Sequence, residues 1–128
     1  MKIVVLIVRI LMGVAFLFFG ANGLFNFIPQ PPMPPGLMKD FSTVMAASHY
    51  MAAVGLVEIV ASVLLLINRY VPLALVLIGP VIVNILIFHI LIAPASIGPG
   101  VAVAIFWFVL FFSVKSAFAG IFQAKVQN

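Results

Sequence analysis

Arg9 and Glu58 are the residues of this 128-residue chain whose surroundings make their type most informative. Arg9 interrupts the apolar run 3–25 and Glu58 the run 43–67, and an isolated charge in hydrocarbon costs at least about 2.5 to 3.5 kcal/mol on insertion scales. On a helical wheel Arg9 shares a face with Gly13, Gly20 and Gly23, while Glu58 shares one with Met51, Gly55 and Ser62. Small residues mark close helix contacts in membranes, so both charges are expected to point into the protein. Counting about 1.5 Å of rise per residue brings them within roughly two turns of each other in depth, near enough for an arginine to bridge. The expectation is an Arg9–Glu58 ion pair, which either fixes helix register or forms part of a proton or anion site.

His49, His89, Asn22 and Asn84 fall in the other half of the predicted helices, away from Lys2 and Arg69. Two histidines could ligate one haem axially. Such a site needs opposed rings and a wide apolar cavity, and the sequence specifies neither, so haem is the disfavoured reading. The alternative is a pocket in which these side chains bond the oxygens of a quinone or lipid head group while its tail stays in hydrocarbon. Asn84 and His89 stand about 140° apart on an ideal wheel, which argues against a continuous polar stripe and a water-filled channel. No nucleophile with its base, phosphate loop or metal cluster is evident, and no cofactor is required. The chain is not expected to be an enzyme on its own.

Residues of this kind must be positioned by membrane helices. The chain is 66% hydrophobic and 6% charged, with a mean hydropathy of +1.42, whereas soluble domains run nearer half apolar and a quarter charged. About 20 residues of helix cross roughly 30 Å of hydrocarbon, so 1–128 holds four crossings as a single membrane domain and leaves no room for a soluble catalytic one. The predicted fold is all-α and integral to the membrane: an antiparallel bundle of four transmembrane helices at about 3–25, 43–67, 72–93 and 99–122. A proline-rich outer loop occupies about 26–42, where Pro29, Pro31, Pro32, Pro34 and Pro35 favour a stiff extended chain. This segment, with Met33 and Leu37, is expected to cover the outer mouth of any pocket. Pro80 is expected to bend the third helix.

The first run is expected to be a retained helix rather than a signal peptide, because Arg9 interrupts it and no small-x-small cleavage site follows. Lys2, Arg9, Arg69, Lys115 and Lys125 all fall on one side of the predicted topology, against Lys39 on the other, which places both termini in the cytoplasm. Lys115 is expected to snorkel from within the fourth helix. Six basic residues are too sparse for a nucleic-acid surface, so the lipid bilayer is the expected partner. The absence of cysteine excludes dithiol exchange and Cys-ligated zinc or iron–sulfur centres. Trp107 and the surrounding phenylalanines cover all faces of the fourth helix, as suits lipid or a partner.

The chain resembles the DoxX family, small four-helix bacterial and archaeal membrane proteins. The likeness lies in RILMGVAFLFFGANGLFNF with Arg9, Gly20 and Asn22; in the proline-rich first loop; in HYMAAVGLVEIVASVLLLINRY with Gly55 and Glu58; and in GPVIVNILIFHI with Pro80, Asn84 and His89. The resemblance implies a multi-pass protein of the prokaryotic cytoplasmic (inner) membrane, associated with membrane redox systems. Founding members are similar to a small subunit of thiosulfate:quinone oxidoreductase. The expected role is therefore an accessory or small subunit of a membrane oxidoreductase, lining a quinone or lipid site beside other membrane or redox subunits. The rival expectations are a carrier or binding protein for a hydrophobic small molecule and a purely structural subunit of a larger complex.

Overall fold

The computed structural model describes residues 1–126. Among the described residues the regular structure is helical and contains no strand: α1 (Lys2–Phe25), α2 (Leu37–Ala47), α3 (Tyr50–Leu66), α4 (Val71–Leu91) and α5 (Gly98–Ser113), with 3-10 segments at Pro94–Ser96 and Lys115–Phe122. α1 and α4 are each long and apolar enough to cross a membrane. α2 meets α3 at 76°, and α5 meets the Lys115–Phe122 segment at 88°, so each of these pairs qualifies only as a bent span. Large apolar side chains cover the outer surface, among them Leu11, Phe19, Val83 and Phe108. That is costly against water and favourable against lipid.

α1 packs on α3, α3 on α4, α4 on α5, and α5 returns to α1. The α1–α3 seam is built from glycine. A Cβ on Gly20 would stand 2.8 Å from the Gly55 carbonyl oxygen, and one on Gly23 would stand 2.7 Å from that of Met51. Backbones approach this closely only without side chains between them. The apolar core occupies one half of the molecule: Met12 of α1, Leu65 of α3, Leu75 and Ile78 of α4 and Leu110 of α5 are fully buried together.

The chain departs from its predicted elements at three places. The helix expected over 43–67 is two helices, broken at Ser48 and His49, where His49 takes the left-handed conformation at φ 60°. Ser48 Oγ accepts the Tyr50 N–H at 3.2 Å, a local bond that competes with the helical ladder. The loop expected over 26–42 ends at Gly36, because Leu37, Phe41, Val44 and Met45 recur at helical spacing and Asp40 occupies the first turn. The helix expected over 99–122 stops at Ser113, whose Oγ donates to the Leu110 carbonyl at 2.6 Å. The chain then turns so that Phe118 is buried against Phe111, with ring centroids 5.0 Å apart. Lys115 consequently opens the turned segment and is exposed, and its position there does not depend on snorkelling out of a helix.

Trp107 also departs from the expectation of an outward aromatic surface. It is half-buried, donates from Nε1 to the Leu75 carbonyl at 2.9 Å, and stacks on Phe111 with centroids 5.3 Å apart. It packs over Gly79, where a Cβ would lie in ordinary contact, 3.6 Å from the indole nitrogen. α4 continues through Pro80, although that residue cannot donate to the Val76 carbonyl one turn back.

Candidate functional site

Glu58 is 7% exposed near the middle of α3. Its Cβ lies 3.1 Å from where a Gly20 Cβ would be, so the glycine of α1 provides the room for its stem. Two cavities meet at this residue. The first, of about 620 Å³, lies beneath α2 and the proline-rich loop and reaches Asn22, Lys39 and His49. The second, of about 430 Å³, lies between α3 and α4 and is lined by Tyr50, Pro80, Asn84 and His89. Phe41, Met45, Met51 and Phe88 border both, as Glu58 does. The rings of Phe41 and Phe88 stand 4.6 Å apart and form a partition.

Arg9 is elsewhere. Its Nη1 donates to the Leu65 carbonyl, and also to that of Leu66 at 3.4 Å. These are among the last carbonyls of α3, which have no partner within the helix and carry its negative dipole end. A guanidinium is well suited to them. Leu65 lies seven residues beyond Glu58, about 10 Å along the helix axis, so the expected Arg9–Glu58 pairing is not the arrangement in the structure. Wheel and depth counting left out the competing acceptors at the end of α3. Among the described residues, no protein side chain or backbone group donates a hydrogen bond to the Glu58 carboxyl, which opens toward the cavities.

The four polar candidates divide between the cavities. Asn22 and His49 line the first, and Asn84 and His89 line the second. Asn22 Oδ1 accepts the Ile28 N–H at 2.9 Å, fastening the chain just after α1. His49 is the residue at which α2 turns into α3. Asn84 Nδ2 donates to the Pro80 carbonyl at 2.9 Å, and His89 Nδ1 stands 2.7 Å from the Ile85 carbonyl. The partition of Phe41 and Phe88 therefore lies between the two histidines' cavities. Among the described residues no group of three His, Cys, Asp or Glu could hold a metal ion.

The cover of the site differs from the expected one. Met33 borders the first cavity, but Leu37 is 69% exposed and borders neither. Phe41 and Met45 of α2 reach over both cavities instead. Their signal was the 37, 41, 45 periodicity, obscured by its position directly after five prolines. Phe88, the other half of the partition, carried no signal beyond its apolarity.

The family model for DoxX matches residues 4–90, which takes in nearly all of α1, all of α2 and α3 and nearly all of α4, together with Glu58, Asn22, His49, Asn84 and His89. No curated protein and no solved structure matches the chain.

Proposed function

The chain belongs to the DoxX family, and from that membership and the cavities meeting at Glu58 we propose that it is a membrane subunit holding a hydrophobic small molecule by its polar head. In this reading the two continuous spans and two bent pairs make an antiparallel bundle of four transmembrane helices in a prokaryotic inner membrane, with both termini cytoplasmic. Lys2, Arg69 and Lys115 lie at the ends flanking the packed core, whereas Lys39 lies beside the cavities, and this asymmetry supports a cytoplasmic packed half. The ligand is of quinone or lipid type, and the protein serves as an accessory or small subunit of a membrane oxidoreductase.

The observation that carries the reading is Glu58, a largely buried residue whose carboxyl, without a protein hydrogen-bond partner among the described residues, opens at the junction of two cavities. Buried ionisable groups in membrane spans are costly and mark sites of ligand or ion passage. A carrier for a hydrophobic small molecule is the second reading, favoured by a cavity between α3 and α4 that is mostly apolar with a few polar groups.

The test is purification in mild detergent, followed by mass spectrometry of extracted small molecules and co-purified proteins. A bound quinone or lipid, diminished in His89→Leu and Asn84→Leu while the variants keep native helicity, is the expected result. Redox subunits in the same preparation support the accessory role, and ligand without partners supports the carrier. A native preparation with no ligand, or ligand content unchanged in both variants, refutes the site.

A further inference from the structure

The directions of the hydrogen bonds beside the second cavity restrict what its occupant can offer. A carbonyl oxygen only accepts, so the His89 Nδ1 that stands 2.7 Å from the Ile85 carbonyl carries the ring hydrogen. In the neutral ring this fixes the tautomer and leaves Nε2 as an acceptor. One helical turn away the Asn84 amide is oriented by the same logic. Its Nδ2 donates to the Pro80 carbonyl at 2.9 Å, which leaves Oδ1 and a single amide hydrogen free. Glu58 supplies acceptor oxygen in either protonation state. With Glu58 ionised, the uncommitted groups of Glu58, Asn84 and His89 around this cavity are mostly acceptors, with one donor among them; protonation of Glu58 adds a second.

We infer that the cavity between α3 and α4 selects amphiphiles whose head group donates hydrogen bonds, such as a phenol, hydroquinone, alcohol or amine, over those whose head only accepts, such as a quinone, ester or ether. The inference rests on the reading of this cavity as a ligand site. A head that only accepts can engage the free Asn84 hydrogen, but it leaves the oxygens of the Glu58 carboxylate and His89 Nε2 desolvated and unpaired. Leaving a buried polar group unpaired is the costly side of hydrogen bonding. A hydroxyl donates to Glu58 or His89 and accepts from Asn84. Val54, Ile85, Ile87 and Ile92 on the same wall then face the hydrocarbon of its tail.

The experiment uses the full chain in mild detergent and a matched pair of probes, 4-decylphenol and its methyl ether, which share a tail and differ in the hydroxyl hydrogen. Binding is measured by titration calorimetry against protein-free micelles. The phenol is expected to bind about ten-fold or more tightly than the ether. Glu58→Leu should lower the ratio most, with His89 Nε2 and Asn84 Oδ1 left to accept. Asn84→Leu, at an exposed position that the fold tolerates, should lower it in part. Equal binding of the two probes, or a preference for the ether, overturns donor selection and leaves the cavity as a site. Failure of both probes to bind overturns the ligand site itself.

Discussion

The two halves of this molecule are built from the same helices and filled in opposite ways. In one half Met12, Leu65, Leu75, Ile78 and Leu110 interdigitate with no exposed surface. In the other, glycine contacts hold α1 against α3 while α2, α3 and α4 stand apart around about 620 and about 430 Å³ of space. Lipid tails are as apolar as leucine, so burial alone does little to drive membrane helices together; close packing and polar contacts do. The packed half supplies the van der Waals contact that holds the bundle. The hollow half relies on the backbone seam and the Phe41–Phe88 contact, which leaves room for something else to complete its packing.

The sharpest way to break this comparison concerns which half faces the cytoplasm. Cysteine introduced at Gly36 or at Tyr70, both exposed, and treated with an impermeant maleimide on intact cells should label at position 36 and remain silent at 70. The reverse pattern would turn the hollow half inward. Next in size is the difference in tolerance. Leu65→Ala, in the packed half, should lower stability by about 2 to 5 kcal/mol because the helices around it cannot collapse onto the void. Met45→Ala, beside existing space, should cost under about 1 kcal/mol in the same detergent melts. Similar losses would mean that the cavities are filled or closed in the folded protein. The smallest number to resolve is the coupling between the charges. Arg9→Leu strips donors from two carbonyls and should cost about 1 to 3 kcal/mol. Combined with Glu58→Leu it should be additive within about 0.5 kcal/mol. Measurable coupling would restore an ion pair between them.

Much of the hollow half could be read from residue types alone. Asn22, His49, Asn84, His89 and Glu58 stand out in an apolar sequence, and the structure brings all five to adjoining cavities. Wheel geometry also marked Gly20, Gly23 and Gly55 as a contact face, because helical phase is a local property. The partner of Arg9 was not legible. Its acceptors are backbone carbonyls, which every residue carries, and the availability of those of Leu65 and Leu66 depends on where α3 ends. The breaks after Ala47 and Ser113 were hidden for a related reason: each carries a serine bonded to nearby backbone, as Ser62 is within unbroken α3, and no proline or glycine stands at the break to announce it. Trp107 had a visible hydrogen-bond donor, but its acceptor lies on another helix, 32 residues away.

The turned segments leave the bundle with legs of unequal length. α1 and α4, of 24 and 21 residues, rise about 36 and about 31 Å, whereas the straight parts of the bent pairs, α3 and α5, of 17 and 16 residues, rise about 25 and about 24 Å. In the proposed topology the short legs fall several ångströms below the roughly 30 Å thickness of a typical hydrocarbon layer. Lipids beside them must shorten to match, at a modest cost for each ångström of mismatch. In that topology the protein would carry a collar of thinned bilayer on two of its flanks. Membrane thickness then sets the cost of seating it in one membrane rather than another, independently of anything bound in its cavities.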